Sequence, residues 1–139
     1  MSDGFIQTLS RDQEAEVCAG QDAENTVKQV VHRFYGKVRQ DALLGPVFDR
    51  FISGGWDVHL ARMCDFWSSI LFQTGRYKGS PMRAHLQIDE ISPRHFDRWM
   101  ELFVETVDEE CESSLRERFI ERALRMRQNL QHAVEQVKA

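Results

Sequence analysis

Two of the five histidines, His59 and His85, lie among bulky apolar residues in stretches with helical character. Met63 and Phe66 follow His59 at helical spacing, and His85 belongs to the short segment MRAHL. An imidazole is a good iron ligand when a second group fixes its orientation, and a porphyrin requires apolar walls. Two such histidines on facing helices could hold a flat, metal-centred ring and leave one side open to a small ligand.

The alternative interpretation is that each histidine is an ordinary core residue with satisfied ring nitrogens. His32, His95 and His132 carry a weaker signal, because they lie on a polar helix side, in a first helical turn and among polar residues, respectively. Zinc is a weaker candidate than a porphyrin, since no pair of Cys or His residues has a spacing such as CxxC or HxxxH. A helical interaction module without cofactor is the most distant alternative.

Tyr35 and Trp99 each place a polar hydrogen on a mostly apolar helix face. Buried tyrosine and tryptophan side chains normally find an acceptor for that hydrogen. The acceptor is either a nearby carbonyl or a bound diatomic ligand, and the pattern leaves both interpretations open.

Composition restricts the classes of protein to consider. The chain has 139 residues and a net charge of −4, which indicates one domain with a real core and argues against general nucleic-acid binding. No apolar run approaches the length of a membrane span, and the first residues are too acidic for a signal peptide. The widely spaced Cys18, Cys64 and Cys111 favour reduced thiols. We therefore expect a cytoplasmic protein that binds neither nucleic acid nor membrane.

Hydrophobic periodicity predicts an all-α chain with four substantial and two short helices. The long helices are expected over about 24–39, over about 55–73, after the N-cap candidate Ser92, and over about 113–137, while short helices should follow Gly45 and begin at Pro81. Residues 1–22 are polar and weakly periodic, so we expect an extension, flexible or loosely helical, before a domain over 23–139. The four apolar faces should pack as two antiparallel pairs.

Four segments together resemble the truncated haemoglobins, most closely the group III branch: HRFYGKVRQDALLGPVF, WDVHLARMCDFWSSIL, RYKGSPMRAHL and HFDRWMELF. They occur in the order and spacing of that family, and the resemblance covers about residues 24–133. It implies the truncated globin fold, a two-over-two helical sandwich around haem b (iron protoporphyrin IX). The extra residues before the first strong helix are a departure from the family pattern.

The resemblance also implies roles for single residues. His85 would be the proximal ligand of the haem iron, and His59 a distal or gating histidine that could itself bind the iron. Tyr35 and Trp99 would donate hydrogen bonds to the bound gas. The side chains implied or expected to pack on or near the macrocycle are Phe48, Met63 and Phe66, and Trp67 matches the tryptophan typical of this branch in that helix.

The rim of such a site must hold the two haem carboxylates. Arg62, Arg83, Tyr77 and Lys78 are candidates because they are close in sequence to the two histidines. All of them could instead be ordinary surface side chains, and Lys78 fits that interpretation better.

These assignments predict a haem protein that binds O2, NO or CO. Its role could be reversible oxygen binding, oxidation of nitric oxide to nitrate, a peroxidase-like or nitrite-linked activity, or gas and redox sensing. Turnover would require a separate reductase, since the chain contains no flavin-binding segment. The resting coordination of the iron and the oligomeric state stay open at this point.

Overall fold

The computed structural model describes residues 11–52, 54–80, 85, 88, 91–111 and 113–138, with side chains described from residue 22 onward except at residues 113 and 138. The described residues form five helices: α1 (Arg11–Gln40), α2 (Leu44–Phe51), α3 (Trp56–Phe72), α4 (Pro93–Glu110) and α5 (Ser113–Lys138). They contain no strand, and the predicted all-α class is confirmed. None of these helices is both long and apolar enough to cross a membrane.

The four long helices pack in the expected two-over-two manner. Helix α1 contacts α3 and α4, and α5 contacts the same two helices, so that each long helix touches two others. The short α2 lies against α1 and α4. Since α2 and α3 both contact α1, residues from three separate segments meet at one end of the sandwich.

Three predicted helices match closely, and one differs. Helices α3 and α5 and the start of α4 lie within one residue of the expected positions. Helix α1 begins at residue 11 rather than at about 24. Apolar periodicity starts only at Val27, but residues 11–23 are rich in Ala, Glu and Gln, which favour helix without an apolar face. The expected short helix at Pro81 lies mostly outside the described residues, although His85 itself has helical backbone.

A stack of three aromatic rings lies at the centre of the core. Phe103 is 1% exposed and lies between Trp67 and Trp99, at ring-centroid distances of 5.0 and 4.9 Å and interplanar angles of 17° and 7°. Phe34 meets Phe103 edge-on at 5.2 Å. The stack joins α3 to α4 and fixes the position of the Trp99 indole.

The corner between α1 and α2 is held by one carboxylate. Asp41 accepts hydrogen bonds from the backbone N–H groups of Leu43 and Leu44, at 3.1 and 2.9 Å, and from Arg98 Nε of α4 at 2.7 Å. Gly45 lies so close to α1 that a Cβ atom there would be 2.9 Å from the carbonyl oxygen of Arg39. This close approach sets the direction of α2.

Ser92 precedes α4, as predicted, and the following turn is closed by an imidazole. The Ser92 N–H donates to Nδ1 of His95 at 3.0 Å, and Pro93 occupies the first helical position. Proline suits that position because its missing N–H would have had no helical partner.

Candidate functional site

A cavity of about 380 Å³ lies between the helix layers, and side chains of all five helices line it. Most of the lining residues are apolar or aromatic, and they are joined by three imidazoles and two guanidinium groups. A largely apolar cavity with a few polar groups, at this size, is typical of a cofactor or ligand site.

The cavity brings together residues that are far apart in the chain. The predicted site residues that line it are Tyr35, Phe48, His59, Arg62, Met63, Phe66, Tyr77, His85 and Trp99. Arg83, the remaining predicted residue, lies outside the described residues. Lys78 is exposed and is not among the lining residues, in agreement with a surface charge.

One end of the cavity is aromatic. Tyr35, which is 5% exposed, meets the His59 imidazole edge-on with ring centroids 4.9 Å apart, and Phe48 lies 5.7 Å from Tyr35. Burial raises the pKa of Tyr35. The phenol therefore stays protonated at neutral pH and can donate a hydrogen bond.

His59 contributes a buried nitrogen to this end. Its Nε2 atom is shielded from solvent and has no hydrogen-bond partner among the residues that the structure describes. Partial burial, followed by the effects of Arg62 and His85, lowers the pKa of His59 to about 4. The imidazole is therefore neutral at pH 7, and its Nε2 atom is available to a group bound in the cavity. Unpartnered buried polar atoms are rare and call for such an explanation.

His85 lines the same cavity from the segment between α3 and α4. Its carbonyl oxygen accepts a hydrogen bond from the N–H of Ile88 at 3.1 Å, which closes one helical turn. The cavity wall that continues from Ile88 is apolar and is formed by Ile88, Ile91, Phe96, Met126 and Leu130. Because Ile91, Phe96 and Leu130 are buried, this wall would exclude water from a ring bound against it.

Two polar residues at the cavity, His95 and Arg127, were not among the predicted site residues. His95 is 7% exposed, and because its Nδ1 accepts the Ser92 N–H, the proton of its neutral ring resides on Nε2. Arg127 of α5 pairs with Asp97 and donates from Nε to Gln131 at 3.2 Å. The serine three residues before His95 was the available signal, since this spacing allows a side chain to fold back onto the helix start. No feature of the sequence predicts that Arg127 lines the cavity.

The residues present fit a haem. They provide apolar walls, neutral imidazole nitrogen at His59, a further imidazole at His85, and the cations Arg62 and Arg127 for the carboxylates. By contrast, the described part of the chain holds no group of three or more His, Cys, Asp or Glu side chains that could bind an isolated metal ion.

Comparison with known proteins agrees with this fit. The chain matches the family model of the bacterial-like globins over residues 20–135. It is 32% identical over 88 residues to the group 3 truncated hemoglobin of Campylobacter jejuni, which covers 61% of this chain and 69% of that relative. The crystal structure of the group III truncated hemoglobin from C. jejuni matches it with a TM-score of 0.76 and 27% identity, over 80% of this chain and 90% of that one. The chain therefore belongs to the bacterial-like globin family of haem proteins that bind small gaseous ligands, on the group III truncated haemoglobin branch that the sequence predicted.

Proposed function

We propose that the cavity holds haem b with His85 as the proximal ligand of the iron, and that Tyr35, Trp99 and His59 form the distal side. The observation that carries this proposal is the presence of His59 and His85 in one apolar cavity, with His59 Nε2 buried and unpartnered among the described residues. Bound haem supplies an iron centre that takes O2, NO or CO. The side chains of this protein would have to bind the iron, donate hydrogen bonds to the gas ligand and hold the haem carboxylates.

The two sides of the cavity differ in a way that supports this assignment. The His59 side is crowded by the rings of Tyr35 and Phe48. His85 lies in the segment that leads to the apolar wall of Ile88 and Ile91. An apolar wall suits the proximal side, where only the imidazole has to reach the iron, whereas donors are useful on the side where a gas binds.

Tyr35 and Trp99 would hold the gas ligand. Tyr35 offers a protonated phenol, and Trp99 an indole N–H on a ring fixed by stacking on Phe103. In a dry pocket each hydrogen bond to the ligand would contribute about 1–2 kcal/mol. Two such bonds would slow ligand dissociation by roughly thirty- to a thousandfold. A gas ligand that stays bound for this long is better suited to a reaction in the pocket than to rapid oxygen delivery.

The haem carboxylates would be held at the rim by cations and a hydroxyl. Arg62 follows His59 by three residues and is exposed, and the Arg127 guanidinium is oriented by Asp97. Tyr77 packs edge-on against Phe66 at 5.1 Å, and its N–H donates to Ser69 Oγ at 2.9 Å. These contacts fix Tyr77 in the loop after α3, where its hydroxyl can also bind a haem carboxylate.

We infer a role in O2 and NO chemistry, in the cytoplasm, with electrons supplied by a separate reductase. The observation that supports this role is the presence of two hydrogen-bond donors, Tyr35 and Trp99, among the residues that line the cavity, because they would retain O2 long enough for a second reactant to arrive. Rapid mixing of the oxygenated protein with NO should give nitrate and ferric protein in equal amounts. Slow or absent nitrate formation would limit the function to ligand binding.

The haem assignment has a direct test. Absorption spectra of the ferric, ferrous and CO forms of the purified protein should show a Soret band, and His85→Ala should lose haem or hold it weakly. His132→Ala, an exposed histidine of α5, is the matched control and should retain the parent spectrum. An unchanged five-coordinate ferrous spectrum in His85→Ala would exclude His85 as the iron ligand.

A further inference from the structure

His59 is also contacted by an aromatic residue to which the proposed site assigns no role. Trp56 is the first residue of α3, and its ring meets the His59 imidazole edge-on, with centroids 5.8 Å apart and planes at 89°. Tyr35 and Phe48, the other two rings around His59, line the cavity, whereas Trp56 is not a lining residue. Trp56 thus packs against His59, and against Tyr35 at 5.9 Å, without itself lining the cavity.

Contacts from two other helices hold Trp56 in this position. Its indole Nε1–H donates to Asp49 of α2 at 3.1 Å, and the ring stacks on Phe48 at 6.3 Å with planes 26° apart. The guanidinium of Arg39, from α1, lies 4.8 Å from the centroid of the ring. Because these contacts come from α1 and α2, the position of Trp56 depends on the corner between those helices.

The geometry points to Trp56 as a latch on His59, by which we mean a side chain whose packing restricts movement of the imidazole. The Trp56 ring would thereby set how often His59 moves out of the cavity to admit a gas ligand. This inference rests on the proposed function, in which His59 lies on the distal side. An imidazole that turns out of the cavity would have to move past the Trp56 ring that packs against it. The burial of His59 Nε2 agrees with a closed latch.

The contacts that hold Trp56 in place can also be broken at a moderate cost in free energy. Trp56 is half-buried, and its bond to Asp49 and its contact with Arg39 both lie at the surface, where such interactions are weak. Two glycines with positive φ, Gly54 at 83° and Gly55 at 89°, precede the tryptophan. Their backbone freedom allows the first turn of α3 to shift without strain in the rest of the helix.

The test begins with apoprotein, so that it does not depend on haem. Modification of His59 by diethyl pyrocarbonate, followed by mass spectrometry, reports how often the imidazole is accessible. Trp56→Ala should raise the His59 modification rate roughly three- to thirtyfold, the factor expected for one or two lost aromatic contacts. Trp56→Phe retains the ring contacts and loses the Asp49 bond, and should give a smaller increase. An unchanged rate in Trp56→Ala would overturn the latch.

The second measurement is CO association with the haem-loaded protein after flash photolysis. Trp56→Ala should accelerate it by a similar factor, and the acceleration should vanish in a His59→Ala background, because the latch acts through His59. An equal acceleration with and without His59 would show that Trp56 blocks access by itself, and an unchanged rate in Trp56→Ala would exclude any role in access. Either result overturns the inference.

Phe72→Ala is the matched control. Phe72 is the last residue of α3 and also carries a guanidinium, that of Arg118, 5.4 Å from its ring centroid. It is about 20 Å along the helix from His59. Phe72→Ala should leave both rates at the parent values. Absence of a Soret band in the parent would refute the haem proposal, and the modification of His59 in apoprotein would still decide whether Trp56 is a latch.

Discussion

The ring of Tyr35 meets the imidazole of His59 edge-on, with centroids 4.9 Å apart and planes at 88°. The contact joins α1 to α3 and places a phenol beside a buried imidazole nitrogen at the same end of the cavity. Burial raises the pKa of Tyr35 and lowers that of His59 to about 4, so that both groups are neutral at pH 7. A neutral phenol can donate to a gas ligand without competition from a charged neighbour.

We predict that loss of either distal donor speeds the escape of oxygen. Tyr35→Phe and Trp99→Phe each retain the ring and remove one polar hydrogen, so each should raise the O2 dissociation rate by roughly tenfold, the equivalent of one hydrogen bond. Stopped-flow displacement of O2 by CO measures this rate. Unchanged rates in both variants would refute the donor role.

We expect Gly45 to be indispensable for the position of α2. A Cβ atom there would lie 2.9 Å from the carbonyl oxygen of Arg39, so Gly45→Ala must push α2 away from α1 and should cost about 1–3 kcal/mol of unfolding free energy. Urea unfolding followed by circular dichroism gives this quantity. Because Phe48 moves with α2, the variant should also bind haem less tightly.

Gly36→Ala is the control for that experiment. Gly36 lies within α1, is exposed, and a Cβ atom there would meet nothing within 4 Å. Alanine is the better helix former, so this variant should be more stable than the parent by about 0.5–1 kcal/mol. Equal effects of the two substitutions would contradict the tight contact at Gly45.

Asp41 should stabilise the protein in a pH-dependent way. Although burial alone raises its pKa, the hydrogen bonds from Leu44 N–H and from Arg98 outweigh that effect and lower it below the usual value of 3.8. A lowered carboxyl pKa means that the stabilisation is present above about pH 4 and disappears as the pH falls through the lowered value. At pH 7, Asp41→Ala should therefore cost about 1–2 kcal/mol.

The decisive measurement is how the stability difference between the parent and Asp41→Ala varies with pH. The gap in unfolding free energy between the parent and Asp41→Ala should narrow below pH 4. Asp108→Ala is the control, because Asp108 pairs with Arg116 at the surface and should matter by less than about 0.5 kcal/mol. A gap that is constant from pH 7 to pH 3 would show that the Asp41 carboxylate contributes through packing alone.

Much of the fold could be predicted because it is encoded locally. The apolar stripe through Met63 and Phe66 identified α3 nearly to the residue, and Ser92 with Pro93 identified the start of α4. The start of α1 was missed, because residues 11–23 favour helix by propensity and lack an apolar face. Whether residues 1–22 are a separate extension from the domain stays a prediction.

The candidate site was predictable in part. His59 and His85 stood out by their apolar surroundings, and both line the cavity. His95 was set aside because of its place in a first helical turn, yet its side chain is buried at the same cavity. Position in a helix is a local property, whereas burial depends on which helix packs across from it.

The amino-acid sequence by itself determined the helices, the chemistry of the side chains and the family, since periodicity, propensity and motif spacing are properties of neighbouring residues. Only the tertiary structure decided that three of the five histidines share one cavity, that Arg127 reaches it, and that Tyr35 and Phe48 from two other helices pack against His59. Those relationships depend on how the five helices pack against one another and on the close approach at Gly45, and such long-range contacts have no counterpart in the order of residues along the chain.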